Sequence, residues 1–289
     1  MRDVQLAELA GRQFNRVSRW QLAELGFTEK AIRHRLERGR LVVLEQGVFA
    51  VPPVLEHDDW GRWMGATLTA PGTWLSHESA AAARGLWSLS RGLETVTRLG
   101  DGGPRRHGGL LVYRSSILDE QVTTTFNGVP MTTVARTVFD LSRRVGQRTL
   151  ARLVRDSVRD HVTLHELGDE LARHPRRRGA RQLARTLARY SGLPLERARS
   201  GAEIRAMELL RDAGRPLPRL NVRIAGEEAD LSWSAGRLIV EIDGGPFHLD
   251  AGEDARKEAA WIEAGWAVRR IPSDDVYGHP DRLLAITPR

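Results

Sequence analysis

The chain has 289 residues, of which 41% are hydrophobic and 28% are charged, and it contains no cysteine. This composition excludes collagen-like, wholly disordered and membrane-spanning proteins, and the length favours two or three domains. The lack of cysteine excludes disulfides, thiol nucleophiles and Cys-ligated metal centres, and it is typical of a reducing compartment. The N-terminal residues lack the apolar core of a secretory signal, so we expect a cytoplasmic protein without a membrane segment.

Lysine and arginine total 44 residues against 37 acidic ones, a formal net charge of +7, which favours a polyanionic partner such as nucleic acid. The charge is uneven: residues 171–199 carry nine cations and one acid, whereas residues 200–289 carry 12 cations and 16 acids. We expect a mixed α/β chain in four parts. These are an N-terminal domain (1–55), a central mixed α/β domain (56–170), a basic helical connector (171–198) and a C-terminal domain (199–289).

The first domain follows the order helix, turn, helix, hairpin. Helices are predicted from Arg19 to Leu25 and from Glu29 to Arg38, because a glycine ends each and Thr28 can cap the second. Two β-prone runs, Leu41 to Leu44 and Val48 to Val51, then predict a hairpin. This is the order of a winged helix. The second helix carries its polar residues on one side, and that side is the predicted DNA-reading face: Lys30, Arg33, His34 and Glu37.

The run RWQLAELGFTEKAIRHRLERGRLVVLEQGVFAVP, which begins at Arg19, resembles the N-terminal domain of the AbiEi family of type IV antitoxins. Members of that family are winged-helix autorepressors, so the resemblance implies DNA as a partner and raises a cognate toxin as another. Two later stretches, LSHESAAAARGL and GVPMTTVARTVFDL, resemble the same proteins more loosely. From the residues themselves, Ser76 and either Thr132 or Thr133 are expected helix caps, and neither His77 nor Glu78 is assigned catalytic work.

Two basic stretches follow. GDGGPRRHGG, from Gly100 to Gly109, lacks the lysine of a phosphate loop and predicts a hairpin loop with a basic tip. Further on, four arginines recur at helical spacing without neighbouring acids: Arg178, Arg181, Arg185 and Arg189. We interpret the first three as contacts to nucleic-acid phosphates, and a solvated helix face is the alternative.

The C-terminal domain begins with a helix over 199–213. Glu203 lies on its apolar stripe, so we expect it to face a cleft, a cation or a hydrogen-bond donor, whereas Glu208 is expected on the solvated side. Three β-prone runs follow, and a short turn between the last two places Asp230 opposite Glu241. Asp243 projects from the same face as Glu241, so three acids are predicted to converge.

Oxygen ligands of this kind suit Mg²⁺ or Mn²⁺, and such an ion can activate water against a phosphodiester. His248 follows a glycine turn and is a candidate general acid, general base or further ligand, with a hydrogen-bonded loop histidine as the alternative. A helix from Asp254 to Ala264 carries Arg256 and Lys257. These two cations are either phosphate contacts or ordinary surface charges.

The order helix, three strands, helix, strand, with Asp230 and then Glu241-Ile242-Asp243, resembles the PD-(D/E)xK nuclease superfamily. ADLSW, LIVEIDG, DARK and GWAVRRI resemble an uncharacterised family related to very-short-patch-repair endonucleases. The resemblance implies a mixed sheet flanked by helices, with Asp230 and Glu241 as metal carboxylates, the Ile242 carbonyl as a ligand and Glu203 as the helix acid. Asp243 stands where the superfamily has lysine, so His248 or Lys257 would have to supply that function.

Two main functions fit these observations. The first is a metal-dependent DNA endonuclease that docks duplex DNA through the winged helix and the basic connector. The second is an antitoxin-like transcriptional repressor whose nuclease fold is inactive. A metal-dependent RNA nuclease has the same acids and is a third alternative.

Overall fold

The computed structural model describes residues 2–53, 58–88, 92–244 and 251–289. The chain divides into two compact units. The first unit comprises Met1–Leu153 and His165–Leu183, and the second comprises Val154–Leu164 and Ala184–Arg289. Helices are interleaved with antiparallel and mixed sheets, which confirms the expected mixed α/β class. No helix in the described part of the chain is long and apolar enough to cross a bilayer.

The first unit opens with helices around a small sheet. Its elements are α1 (Arg2–Arg12), β1 (Arg16–Ser18), α2 (Arg19–Glu24), α3 (Glu29–Glu37), β2 (Val42–Glu45) and β3 (Val48–Ala50). The strands pair in the order β1-β3-β2. Thr28 caps α3, since its hydroxyl accepts from the Ala31 N–H, and Leu22, Ile32 and Phe49 pack in the core. The predicted order helix, turn, helix, hairpin is present; α1 and β1 were not predicted.

A second sheet follows in the same unit. Its elements are α4 (Asp59–Thr67), β4 (Thr73–Leu75), α5 (His77–Ala83), β5 (Glu94–Leu99), β6 (Arg105–His107), β7 (Leu110–Ser115), β8 (Thr123–Phe126), β9 (Val129–Thr132) and α6 (Val134–Ser142). The strands are ordered β6-β7-β5-β4-β9-β8. Thr133 caps α6 as expected, but the Ser76 hydroxyl makes no cap bond and instead lies 2.9 Å from Nδ1 of the buried His77. The stretch predicted as a hairpin loop contains β6, whose side chains are all exposed.

Three helices come next, and they are α7 (Gln147–Asp160), α8 (Leu164–Arg173) and α9 (Ala180–Tyr190). The second unit then contains α10 (Gly201–Asp212), β10 (Arg219–Ile224), β11 (Glu227–Trp233), β12 (Leu238–Asp243), α11 (Ala251–Glu263), β13 (Ala267–Pro272), α12 (Ser273–Gly278) and α13 (Pro280–Ile286). Its sheet has the order β10-β11-β12-β13, and only the β12–β13 pair is parallel. Trp261 of α11 is fully buried against Ala229 and Ile239, which fixes that helix on the sheet.

Candidate active site in the second unit

Asp230 and Glu241 meet where strands β11 and β12 stop pairing. Leu231 pairs with Val240 and Trp233 with Leu238, which is the predicted register. Beyond that point, the two carboxylates accept hydrogen bonds from backbone N–H groups of the neighbouring strand. Glu241 Oε1 accepts from the Asp230 N–H at 2.9 Å, and Asp230 Oδ2 accepts from the Ile242 N–H at 2.9 Å. We call these two side chains the carboxylate pair; each is held by the backbone of the neighbouring strand.

The carboxylate pair lacks a salt bridge to any cation in the described ranges. Burial raises the pKa of Asp230 to about 6, and Glu203 and Asp243 add to the rise while the Ile242 N–H opposes it. Burial also raises the pKa of Glu241 to about 7, the negative charge of Asp230 adds to it, and Arg270 and Lys257 oppose it. Close, poorly hydrated carboxylates without a counterion favour a proton or a bound cation.

Glu203 on α10 lies close enough to raise the pKa of Asp230, and it bonds the neighbouring strand β10. Its side chain is 3% exposed, and Oε2 accepts from the Arg199 N–H at 2.9 Å and from Asn221 Nδ2 at 2.7 Å. The expectation that this acid faces a hydrogen-bond donor is thus confirmed. Asn221 lies in β10 with a φ of +49°, an uncommon conformation for a residue with a side chain, and its amide also donates to the Arg197 carbonyl. Asn221 was missed by the sequence analysis.

A cavity of about 580 Å³ lies beside Asn221. It is lined by Arg197, Arg199 and Asn221 together with Arg159 of α7, all in the second unit. Arg199 forms an ion pair with Glu228, whereas Arg197 is exposed and forms no ion pair within the described residues. The cavity therefore lies beside β10, the strand next to the one that carries Asp230, and Arg197 is one of its lining residues.

Asp243 is not part of the carboxylate pair. Its Oδ1 accepts from Arg270 Nη1 at 2.9 Å, and Arg270 also contacts Glu258 at 3.3 Å. Arg270 is the β13 residue paired with Glu241, so the strand register brings this cation to the acids. Asp243 nevertheless lies close enough to raise the pKa of Asp230, and its ion pair with Arg270 is a contact that the sequence analysis did not anticipate.

The other predicted residues of the site take different places. Lys257 on α11 lies 3.6 Å from Glu253, and its charge lowers the pKa of Glu241. Arg256 lies 3.4 Å from Glu227. His248 lies outside the described residues. Glu208 is 1% exposed and bonds both Arg189 and Arg205, so the prediction of a solvated acid is wrong; its α10 position faces α9 arginine, which periodicity within one helix does not reveal.

The residues present fit a hard divalent cation in part. No group of three or more histidine and acidic side chains in the described ranges is arranged to hold a metal. The carboxylate pair nevertheless supplies two oxygen ligands, and its burial without a counterion leaves negative charge that a cation would offset. Mg²⁺ needs few protein ligands because it retains several waters. Asp230, Glu241 and the Ile242 carbonyl are the residues that would hold it.

The predicted DNA contacts in the N-terminal region are all accessible. On α3, Lys30, Arg33 and His34 are exposed, while Ile32 on the opposite side is 2% exposed. Of the connector arginines, Arg178 precedes α9, and Arg181 and Arg185 lie one turn apart on that helix; all three are exposed. Arg189 differs from these three because it bonds Glu208 at 3.0 Å.

No family model matches the chain. It is similar to two curated sequences of Mycobacterium tuberculosis strains, printed as "Uncharacterized protein MT2308" and "Uncharacterized protein Rv2248". Each is 34% identical over 97 residues, a segment that makes up 31% of this chain and 36% of the relative. The chain thus spans about a third of the length of the curated relatives it matches, and their names carry no activity.

Proposed function

We propose that the chain is a metal-dependent DNA endonuclease that hydrolyses phosphodiester bonds at the carboxylate pair. The observation that carries this proposal is the approach of Asp230 and Glu241, each held by a backbone N–H at 2.9 Å, with raised pKa values and no salt bridge to another described residue. Two other buried acids of the chain, Glu208 and Asp140, are by contrast paired with arginine. An unneutralised, partly buried pair is typical of a ligand site.

Each residue of the site has a distinct task in this proposal. Asp230 and Glu241 hold the ion, and Glu203 with Asn221 fixes the neighbouring strand. Mg²⁺ or Mn²⁺, when bound, would supply a water of lowered pKa and neutralise charge on the scissile phosphate. Lys257, whose charge acts on Glu241, and Arg197, which lines the cavity next to Asn221, would contact phosphate oxygens. Since Asp243 is tied to Arg270, it does not stand in for the motif lysine; His248 and Lys257 remain the proposed sources of that function.

A cleavage assay with purified full-length chain tests the proposal. Supercoiled plasmid, labelled duplex DNA, single-stranded DNA and RNA are each incubated with Mg²⁺, Mn²⁺ or EDTA. We expect duplex nicking only with a divalent ion. Asp230→Asn and Glu241→Gln should each lower the rate by at least about 100-fold, because metal ligands matter more than the residues that support them. Glu263→Gln is the matched control, since Glu263 is an exposed acid on α11 of the same unit.

Duplex binding in EDTA should be unchanged in both site variants, which separates lost chemistry from lost docking. Metal-dependent nicking that survives both substitutions would refute the nuclease assignment. Cleavage of RNA with DNA left intact would replace DNA by RNA as the substrate while keeping the same residues.

An antitoxin-like transcriptional repressor is the second proposal, and the exposed basic face of α3 favours it. That face would read an operator through Lys30, Arg33 and His34 without any need for Mg²⁺. Footprinting on the upstream region of its own gene, in EDTA, tests it: a protected site that is lost in Lys30→Gln/Arg33→Gln supports repression, and no protection counts against it.

A further inference from the structure

A second cavity, of about 550 Å³, lies in the first unit and is strongly basic. Its wall combines the loop after β7 with the segment after α8. Six of its side chains are cationic or imidazole groups: Arg114, Arg143, Arg173, His174, Arg176 and Arg177. Asp101 is the only acid among its lining residues. We call this cavity the arginine cleft.

Acids outside the lining of the arginine cleft neutralise only part of its positive charge. Arg177 contacts Asp140 at 3.2 Å, and Arg173 contacts Glu170 at 2.7 Å. Arg143 and Arg176 form no ion pair with any described acid, and both are exposed. Burial and the charges of Arg136 and Arg143 lower the pKa of Arg177, although Asp140 opposes them, so the guanidiniums repel one another. The cleft thus carries positive charge in excess of its acids.

The cleft is built on a rigid base. Arg136 of α6 is fully buried, donates to Asp140 at 2.9 Å and donates to Ser115 Oγ at 3.0 Å. The same Ser115 hydroxyl donates to the Ile117 carbonyl at 2.8 Å, which fixes the loop that lines the cleft. Asp140 therefore orients one buried arginine and one arginine of the wall. Because these donors are already positioned, binding a ligand would cost less side-chain conformational entropy.

One lining residue, His174, has a ring nitrogen without a hydrogen bond among the described residues. His174 Nε2 is buried and makes no hydrogen bond, and the nearest acid oxygen, on Glu170, is 3.8 Å away. A buried polar atom left without a partner is costly. His174 thus places a polar ring beside Glu170 at the wall of the cleft, next to the lining residues Arg173 and Arg177.

From these contacts we propose that the arginine cleft binds the phosphate monoester of a nucleotide. One guanidinium group can donate two parallel hydrogen bonds to phosphate oxygens. A dianionic terminal phosphate can accept from several guanidinium groups at once. The volume matches the range of small-ligand pockets and admits one nucleotide. A concave cleft also suits a chain end or a free nucleotide better than the continuous backbone of a duplex. This inference does not depend on the nuclease activity, because the cleft is formed within the first unit alone.

Binding to full-length chain in EDTA tests the inference. Calorimetry compares ADP and AMP with adenosine, and fluorescence anisotropy compares a short single strand carrying a 5′-phosphate with the same strand carrying a 5′-hydroxyl. We expect the phosphorylated partner to bind at least about tenfold more tightly in one of these comparisons, as charge-assisted hydrogen bonds predict. Tight ADP binding identifies a free nucleotide as the ligand. A preference confined to the 5′-phosphorylated strand identifies a strand end.

The variant Arg143→Gln/Arg176→Gln removes two of the three lining arginines that lack an acid partner among the described residues, so its folding should be preserved, and unfolding in urea checks this. It should abolish the preference for the phosphorylated ligand. The matched control is Arg148→Gln/Arg152→Gln, which changes the net charge equally at two exposed residues of α7 that do not line the cleft, and it should retain the preference. Equal binding of phosphorylated and unphosphorylated ligands, or equal loss in both double variants, would overturn the inference.

Discussion

Asp140 in the first unit and the carboxylate pair in the second unit are held in opposite ways. In the first unit Asp140 is 3% exposed and is held by Arg136 at 2.9 Å and Arg177 at 3.2 Å. In the second unit Asp230 and Glu241 are held by backbone N–H groups and by each other's strands, without a cation in the described part of the chain. Asp140 is neutralised by arginine, whereas the carboxylate pair keeps negative charge that the nearby Arg270 and Lys257 offset only in part, so a proton or a bound cation is favoured there.

The residues around Asp140 and those around the carboxylate pair also differ in net charge. Around Asp140 the arginines outnumber the acids, which leaves the arginine cleft positive. Around the carboxylate pair the acids outnumber nearby cations, although Arg270 neutralises Asp243. Net charge of the whole chain, +7, conceals this division. Local excess charge, and not the total, indicates which ligand each unit favours.

The largest effect is expected where a buried ion pair is broken. Arg136→Leu leaves Asp140 buried with one arginine fewer, so we expect the free energy of unfolding to fall by about 3–5 kcal/mol. Equilibrium urea unfolding followed by circular dichroism measures it. Arg144→Leu is the control, because Arg144 is 34% exposed in its pair with Glu78 and should contribute about 0–1 kcal/mol. Equal losses would show that burial does not distinguish the two arginines.

Divalent ions should stabilise the chain through the carboxylate pair. At a concentration 100 times the dissociation constant, Mg²⁺ or Mn²⁺ is expected to add about 2.7 kcal/mol to the free energy of unfolding. Asp230→Asn should remove this gain and Glu263→Gln should keep it. Differential scanning fluorimetry with and without the ion provides the measurement. If Ca²⁺, Mg²⁺ and Mn²⁺ all leave the melting temperature unchanged, the pair does not bind a metal.

Without metal, the carboxylate pair should make stability depend on pH. The pKa of Asp230 is raised from 3.8 to about 6 and that of Glu241 from 4.5 to about 7, so the folded chain binds these protons more tightly than the unfolded chain. The corresponding stabilisation is fully present below about pH 4 and is lost as pH rises to 7. Asp230→Asn keeps an oxygen that can accept from Ile242 and avoids the buried charge.

We therefore expect Asp230→Asn to raise the free energy of unfolding in EDTA at pH 8 by on the order of 2 kcal/mol and to leave it nearly unchanged at pH 4. Urea titrations at both pH values measure the difference. Destabilisation at pH 8 would mean that the charge of Asp230 is already balanced in the folded chain.

The sequence predicted the C-terminal strands and their register because the turn between β11 and β12 is short and the apolar alternation is regular. It therefore located Asp230 opposite Glu241. It did not locate Arg270, which reaches the acids only through the parallel pairing of β13 with β12, or Asn221, whose conformation depends on its contacts with Glu203. Glu208 was misassigned for the same reason: its partner Arg189 lies on a different helix. Contacts between elements distant in sequence are not encoded in local periodicity.

The smallest expected effect concerns the exposed cations of α3, which have no structural partner to lose. Lys30→Gln/Arg33→Gln should leave the free energy of unfolding unchanged, since both side chains project into solvent. If they contact DNA phosphates, the slope of log affinity against log salt should fall by about two in magnitude, roughly one for each charge. Anisotropy titrations of labelled duplex at several salt concentrations measure that slope. A fall in affinity for one operator sequence only, with little change in slope, would instead identify base contacts, because phosphate contacts weaken all sequences alike.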